Sequence, residues 1–374
     1  MKIGFIDVTV TMSYGGIQTA VWELAKVLSD EGHEVHIFGG EGDIRPELGG
    51  RPVKIHTFPY IPRKRVLNIG SRFQKITERY SFARHARHQV QKENFDWIIL
   101  TKPFDFFWPR LLPKETKTKF CFMSGGTSFF RGDRKLSQRL DAWVACSHFN
   151  AWQIQHHYKQ FPSVIYNGVD TTRFKPMETT VRQTLGIHDD TFLVAFAGRL
   201  VGWKGVRYAV DAIALLKNDN IKLLVIGAGD DLPALQRRAA EKGVEDCVIF
   251  HPPVSHDELP AWYAAADAGV FPSIGDEAFG ITIAEAMACG KPVIGSYIGG
   301  IAEVIGNEEQ SGLLVPPGNA QAIADAVKHL YMLPDRGKEM GENARLRIVG
   351  RYTWQHSAHR LLRVLNANND EKRS

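Results

Sequence analysis

The residues best suited to chemistry lie in the second half of the chain. Gly198-Arg199-Leu200 and Trp203-Lys204-Gly205 follow an apolar run at 191–197 that reads as a strand. A guanidinium that forks onto two oxygens and an ammonium point charge, both at a strand end, suit a pyrophosphate. Further on, Phe271-Pro272-Ser273 closes another strand and a loop carries Asp276 and Glu277. A helix is expected to begin near Phe279, with Gly280 in its first turn, so that the free N–H groups of Gly280, Ile281 and Thr282 point at an anion. Glu285 falls inside that helix among small and apolar residues. A carboxylate there needs a partner, and a pair of sugar or ribose hydroxyls supplies one. The plainer alternative makes Glu277 a helix cap and Glu285 a surface residue. In the first half, Gly15-Gly16 stands between the first strand and the first helix, where the backbone can approach a ligand closely.

Other phosphate motifs fail. No G-x-x-x-x-G-K-[ST] occurs, which excludes a P-loop. Gly227-Ala228-Gly229 follows a strand, but Leu232 stands where the third glycine of a dinucleotide fingerprint belongs. Cys121, Cys146, Cys247 and Cys289 are far apart and lack metal-ligand spacing, so reduced thiols, most of them buried, are expected and no metal or other cofactor.

These residues need a scaffold. Short runs rich in Val, Ile and Phe alternate with helical patterns along the 374 residues. Strands are expected near 2–7, 34–39, 53–58, 96–100, 118–122, 142–146 and 163–166, with a helix over 17–30 that places Ile17, Val21, Leu24, Ala25 and Leu28 on one face. The second half repeats the rhythm, with strands near 191–197, 221–227, 246–250, 268–272, 292–295 and 312–315 and helices near 205–217, 231–242, 256–265, 279–289 and 319–333. Residues 335–367 read as helical throughout. The pattern is α/β: two doubly wound parallel-sheet, Rossmann-like domains, 1–170 and 171–350, followed by a C-terminal helix in 351–374. Asn167-Gly168-Val169-Asp170 supplies the turn chemistry of the boundary. Ligands of such sheets bind beyond the carboxyl ends of the strands, so a cleft between the domains is the expected site.

The composition is that of a globular protein, with 44% hydrophobic and 23% charged residues and no run long enough to span a membrane. A cytoplasmic location is expected. The net charge of +5 is uneven, because residues 51–150 hold 20 basic and 7 acidic side chains. Residues 61–90 alone carry Arg63, Lys64, Arg65, Arg72, Lys75, Arg79, Arg84 and Arg87 against Glu78. Such a run is either a solvated face or a peripheral contact with an anionic membrane or polyanionic acceptor. No nucleic-acid module is present, and no nucleic-acid partner is expected.

Taken in order, these pieces resemble a family 4 retaining glycosyltransferase of the GT-B fold. Gly15-Gly16, Asn167-Gly168-Val169-Asp170, Gly198-Arg199-Leu200 and Lys204-Gly205 match in turn. The E-x7-E pair Glu277 and Glu285 flanks Phe279-Gly280, and Gly299-Gly300 with Glu303, Gly312-Leu313-Leu314-Val315-Pro316-Pro317 and Tyr352-Thr353-Trp354 complete the series. The resemblance implies metal-independent transfer of a sugar from a nucleotide-sugar donor, UDP first and GDP next, to a glycan, lipid-linked or other hydroxyl acceptor, in cell-envelope or polysaccharide synthesis. In that reading Arg199 and Lys204 neutralise the leaving diphosphate, and Gly15, Gly16, Phe279, Gly280, Ile281 and Thr282 line the donor. Glu277 holds the donor sugar, Glu285 the ribose, and Val254 meets the base through its backbone. The C-terminal helix crosses back onto the first domain. One departure stands out: many relatives carry a histidine after the strand Phe120-Cys121-Phe122-Met123, and this chain has Ser124-Gly125-Gly126-Thr127. The Ser124 hydroxyl would then hydrogen-bond the donor sugar. The competing readings are a non-catalytic or partner-dependent glycosyltransferase-like subunit and a sugar-nucleotide epimerase.

Overall fold

The computed structural model describes residues 1–13, 15–126, 128–306 and 310–370; Thr127 of the Ser124 motif lies outside them. The chain forms two compact units, Met1–Gly168 with Trp354–Ser374, and Val169–Thr353.

The first unit is built on a parallel sheet of β1 (Lys2–Ile6), β2 (Glu34–Gly40), β3 (Lys54–Phe58), β4 (Trp97–Leu100), β5 (Lys119–Ser124), β6 (Ala142–Ala145) and β7 (Ser163–Val164). Their spatial order is β3-β2-β1-β4-β5-β6-β7, so the winding direction reverses between β1 and β4. Helix α1 (Gly16–Asp30) buries Ile17, Val21, Leu24, Ala25 and Leu28, the face read from the sequence. Helix α2 (Ser71–Glu93) was not expected. It is strongly polar, it buries only Phe82, Ala83, Ala86 and Val90 as apolar anchors, and its exposed side carries Phe73, Ile76 and Tyr80, so no apolar period survives in the sequence. Those anchors join Phe38, Phe106, Trp108, Phe122 and Trp143 in one core. Helices α3 (Asp133–Ser137) and α4 (His148–Tyr158) follow, and the C-terminal helix Trp354–Asp370 packs on α1. Ser357 Oγ donates to the Tyr166 carbonyl at 2.6 Å within this unit.

The second unit has the parallel order β10-β9-β8-β11-β12-β13. Its strands are β8 (Phe192–Ala197), β9 (Ile221–Ile226), β10 (Val248–His251), β11 (Ala268–Phe271), β12 (Val293–Ser296) and β13 (Gly312–Val315). They are buried almost throughout, which is why they appear in the sequence as continuous apolar runs. Helices α5 (Val181–Thr184), α6 (Val206–Leu216), α7 (Leu232–Glu241), α8 (Leu259–Ala265), α9 (Ile281–Ala288), α10 (Ile301–Ile305), α11 (Ala320–Met332) and α12 (Lys338–Arg351) connect and cover them. The helical stretch read over 335–367 is interrupted at Tyr352-Thr353, next to the expected start of the C-terminal helix at 351. The Tyr352 carbonyl accepts the Val169 N–H at 2.7 Å, Thr353 pairs with Val169 as an isolated parallel bridge, and helical bonding cannot continue through residues held in that way. Among the described residues no helix is long and apolar enough to cross a membrane.

Candidate active site

In the second unit the winding direction reverses between β8 and β11, and the loops leaving those two strands carry the residues singled out by the sequence. This is the position at which open α/β sheets bind ligands. The loops are tied together: the N–H groups of Ile274 and Gly275 donate to the Trp203 carbonyl at 2.8 and 3.2 Å. Gly205 adopts φ +66°, and a Cβ there would sit 2.0 Å from the Pro272 carbonyl oxygen, so glycine is required where the loops cross. Lys204 is thereby carried to Glu277 and donates from Nζ to Glu277 Oε2, with its ammonium 4.5 Å from the centre of the Trp203 ring. Sequence reasoning gave these two charges separate ligands; the structure makes them partners of each other. The Gly299-Gly300 motif has its explanation here too, because the Gly300 N–H donates to the Glu277 carbonyl at 2.8 Å and a Cβ on Gly299 would lie 2.3 Å from that oxygen. Arg199 is exposed, and its guanidinium has no hydrogen-bond or ion-pair partner among the described residues.

Helix α9 starts two residues later than expected. Gly280 is its N-cap, at φ +95°, rather than a member of its first turn. This left-handed turn lets the chain enter the helix sharply, and the N–H groups of Gly280, Ile281 and Thr282 are left without acceptors among the described residues. Phe279 turns its ring into the core against Tyr352, with ring centres 5.8 Å apart, so its side chain is structural.

Glu285 is 4% exposed, as its position among small apolar residues suggested. Its buried carboxylate has a protein partner that sequence reasoning missed: His256 Nε2 lies 2.7 Å from Oε1. His256 belongs to the loop after β10, together with Val254, and its Nδ1 faces Arg173 Nη1 at 2.9 Å. Arg173 also lies 3.3 Å from Asp257 and 3.6 Å from Asp170. Residues 83 and 29 positions apart meet here, a juxtaposition no local pattern encodes.

The remaining expected residues belong to the first unit. Gly15 is the N-cap of α1 and Gly16 its first residue, and no side chain caps that helix start. Ser124 is the last residue of β5 and is 2% exposed; its Oγ is turned to the Gly126 backbone, at 3.2 Å from the carbonyl oxygen. A buried charged cluster past β1 and β4 also escaped the sequence. Asp7 accepts from Thr9 and from Thr101, while Arg79 of α2 pairs with Asp105. Burial alone would raise the Asp7 carboxyl, but the Arg79 and Lys102 charges and the Thr9 bonds outweigh it and hold the group below its ordinary value. Asp105 goes the other way: burial, joined by the Asp7 charge, pushes it up to about 7 against the pull of Arg79 and Lys102. Arg79 therefore leaves the cationic face of 61–90 on which the sequence placed it.

Of the cysteines, Cys121, Cys146 and Cys289 are buried, and burial pushes the Cys289 thiol up to about 12. Among the described residues His36, His56 and Glu93 form a group with metal-ligand proximity, but Lys2 already pairs with that Glu93 carboxylate at 2.5 Å, and the group lies in the first unit at β2, β3 and the end of α2.

The family model described as glycosyl transferases group 1 matches residues 177–347, and that of glycosyltransferase family 4 matches residues 14–173. A D-inositol 3-phosphate glycosyltransferase of an Arthrobacter species is 35% identical over 96% of this chain and 91% of its own. An uncharacterised glycosyltransferase of Methanocaldococcus jannaschii is 34% identical over 54% of this chain, a match that spans about half (53%) of that relative. Among solved structures, sucrose-phosphate synthase from Thermosynechococcus elongatus shares the fold with a TM-score of 0.82 at 22% identity, covering 98% of both chains. HepE of Anabaena, determined with UDP and glucose, gives 0.81 at 21% identity, covering 98% of this chain and 99% of its own. The chain belongs to the family 4-like glycosyltransferases, and its two parallel-sheet units are those of the GT-B fold. This membership sets aside the epimerase reading.

Proposed function

We propose that the protein transfers a sugar from a nucleoside-diphosphate donor, with UDP the first candidate and GDP the next, to a hydroxyl of a glycan or lipid-linked acceptor, retaining the anomeric configuration and using no metal. The observation that carries this reading is the junction of the β8 and β11 loops, which brings the loop of Arg199 and Lys204 together with Glu277 and the N-terminus of α9 at two neighbouring strand ends. Two cations and uncapped N–H groups are the means by which a protein stabilises charge developing on a departing diphosphate. Glu277 is assigned to the donor-sugar hydroxyls, Glu285 to the ribose and the Val254 backbone to the base. In the step we favour, the acceptor oxygen bonds to the anomeric carbon as the carbon–oxygen bond to the diphosphate breaks, and the acceptor proton passes to the leaving phosphate oxygen. The engagement of Glu277 with Lys204 supports a binding role for this carboxylate over that of a covalent nucleophile. UDP is placed first because HepE was determined with it.

The test is nucleotide release from UDP-, GDP- and ADP-sugars, with acceptors that include inositol 3-phosphate after the name of the Arthrobacter relative, and with the anomeric coupling of the product read by NMR. Acceptor-dependent release of UDP, undiminished by EDTA and giving a retained product, is expected. Inversion, or loss with EDTA, would overturn the corresponding part. No release from any donor would favour a glycosyltransferase-like subunit without activity, a reading for which the burial of Ser124 speaks.

A further inference from the structure

The sequence showed residues 61–90 as a run of positive charge. The structure adds a second property. Leu67 and Ile69 are 76% and 70% exposed, Tyr80 is 51% exposed, and Ile61, Phe73 and Ile76 are also open to solvent. Phe73, Ile76 and Tyr80 stand at i, i+3 and i+7 of α2, on one face of the helix, and Arg84 and Arg87 continue that face. Its opposite side is fixed in the core by Phe82, Ala86 and Val90, and Arg79 and Glu78 are turned inward onto Asp105 and Arg63. Lys64, Arg65 and Arg72 are exposed among the apolar side chains. A single exposed Leu or Phe is ordinary, but six large apolar side chains within twenty residues are not.

We infer that residues 61–80, with Arg84 and Arg87, form a surface that binds an anionic lipid bilayer by inserting apolar side chains between headgroups as well as by charge. The interleaving decides the occupant. Apolar side chains flanked by Lys and Arg match the boundary between acyl chains and anionic headgroups, whereas a soluble polyanion offers nothing to Leu67 or Ile69. The inference rests on exposure and charge, and only its link to a lipid-borne acceptor draws on the sugar-transfer reading. Vesicle binding is measured without donor or turnover, so the two can fail separately.

The experiment is co-sedimentation of the full chain with phosphatidylcholine vesicles, pure or containing phosphatidylglycerol, at 0.1 and 0.5 M salt. Raising the salt shortens the screening length from about 10 Å to a few Å. Binding by charge alone would vanish; here a measurable fraction should stay bound to the anionic vesicles. Replacing Leu67, Ile69 and Phe73 together by Ser should abolish the salt-resistant fraction. Reversing Lys64, Arg65 and Arg72 to Glu should weaken binding at low salt by more than about 100-fold, at roughly fivefold or more per cation. Phe73→Trp should shift its emission to the blue and be quenched by brominated acyl chains. Unchanged nucleotide affinity and melting temperature in each variant show that it folds. Complete release at 0.5 M salt, or a serine variant that binds like the unaltered chain, would overturn insertion. Absence of vesicle binding together with dimerisation in sedimentation velocity would assign the face to a second copy of the chain instead.

Discussion

His256 donates a hydrogen bond to Glu285, and Arg173 fixes the direction of that donation. Arginine has no acceptor, so His256 Nδ1, 2.9 Å from Arg173 Nη1, must be the unprotonated nitrogen, and Nε2 carries the hydrogen that faces Glu285 Oε1 at 2.7 Å. This hydrogen bond orients the buried Glu285 carboxylate.

If Glu285 binds the ribose, His256 positions it. Glu285→Ala should weaken nucleoside diphosphate binding while changing turnover at saturating donor far less, because the ribose is held equally in ground and transition states. His256→Ala should raise the Kd by about tenfold, the loss of one charge-assisted hydrogen bond. His256→Gln, which retains an N–H near the Nε2 position, should recover most of that affinity. Calorimetry with UDP and GDP reads all three. Equal melting temperatures with unchanged affinity in His256→Ala would reduce this bond to a packing detail.

The cations of the β8 loop should separate by their partners. Arg199 has none among the described residues, so Arg199→Ala should cut turnover by roughly 10²–10³-fold with no change in stability. Lys204→Met should cost a similar factor in rate and also strand the Glu277 carboxylate. The pair behaves as a unit, so Lys204→Met with Glu277→Gln should be no slower than Lys204→Met alone. Additive losses in this double-mutant cycle would mean that the pairing of Lys204 with Glu277 does not couple their roles.

Gly205→Ala probes the junction itself. The added Cβ meets a backbone carbonyl at 2.0 Å, and residue 205 has φ +66°, so the loop bearing Lys204 must move. A loss of about 2–4 kcal/mol in stability is expected, together with a fall in turnover of the folded fraction. Urea titration and single-turnover rates measure the two effects. Wild-type values for both would contradict the crossing of the two loops.

The buried carboxyls give a signed pH dependence. Asp105 titrates near 7 in the folded chain and near its ordinary 3.8 when unfolded, so between these values the folded state holds a proton that the unfolded state has released. Stability must therefore fall as pH rises from about 4 to about 7 on account of this group. Asp7 acts below that window and oppositely: its depressed value makes its contribution present above about 4 and lost as pH falls further. Asp105→Asn still accepts from Arg79 and cannot ionise. Denaturation at pH 5 and pH 7.5 should show the unaltered chain losing stability relative to this variant, the histidine titrations cancelling in the difference. A difference independent of pH would remove Asp105 from the account.

Ser124→Ala should lower the rate by no more than about 2–13-fold, the range of one neutral hydrogen bond, because the hydroxyl already faces the Gly126 backbone. Ser124→His has to fit an imidazole where the side chain is 2% exposed, so a lower melting temperature is expected rather than a gain in rate. A large rate increase in the His variant, over a nearly inert starting protein, would show that sugar transfer here awaits an imidazole.

The sequence by itself determined the strands. All thirteen appear near their expected places. Most are buried, and a strand buried on both faces is a continuous apolar run visible without a third dimension; β3 and β7, for example, are only partly buried. It also singled out Arg199, Lys204 and Glu277, which stand near strand ends marked by glycine or proline, and Glu285, a carboxylate inside a helix of small and apolar residues. Tertiary structure alone decided what those side chains touch. Lys204 and Glu277 are 73 positions apart and pair because the ends of β8 and β11 are neighbours in the sheet; His256, in the loop that leads into α8, meets Glu285 of α9 because those two helices pack together, and Arg173 reaches His256 from 83 positions away. Helix α2 was invisible because exposed apolar residues on one side cancel the period of the buried ones on the other, and although the C-terminal helix was read as starting at 351, the bond that breaks the chain at Tyr352-Thr353 comes from Val169, which no local pattern shows. Local sequence encodes which residues prefer to be buried or to turn, whereas pairing between distant residues depends on strand order, which no local preference specifies.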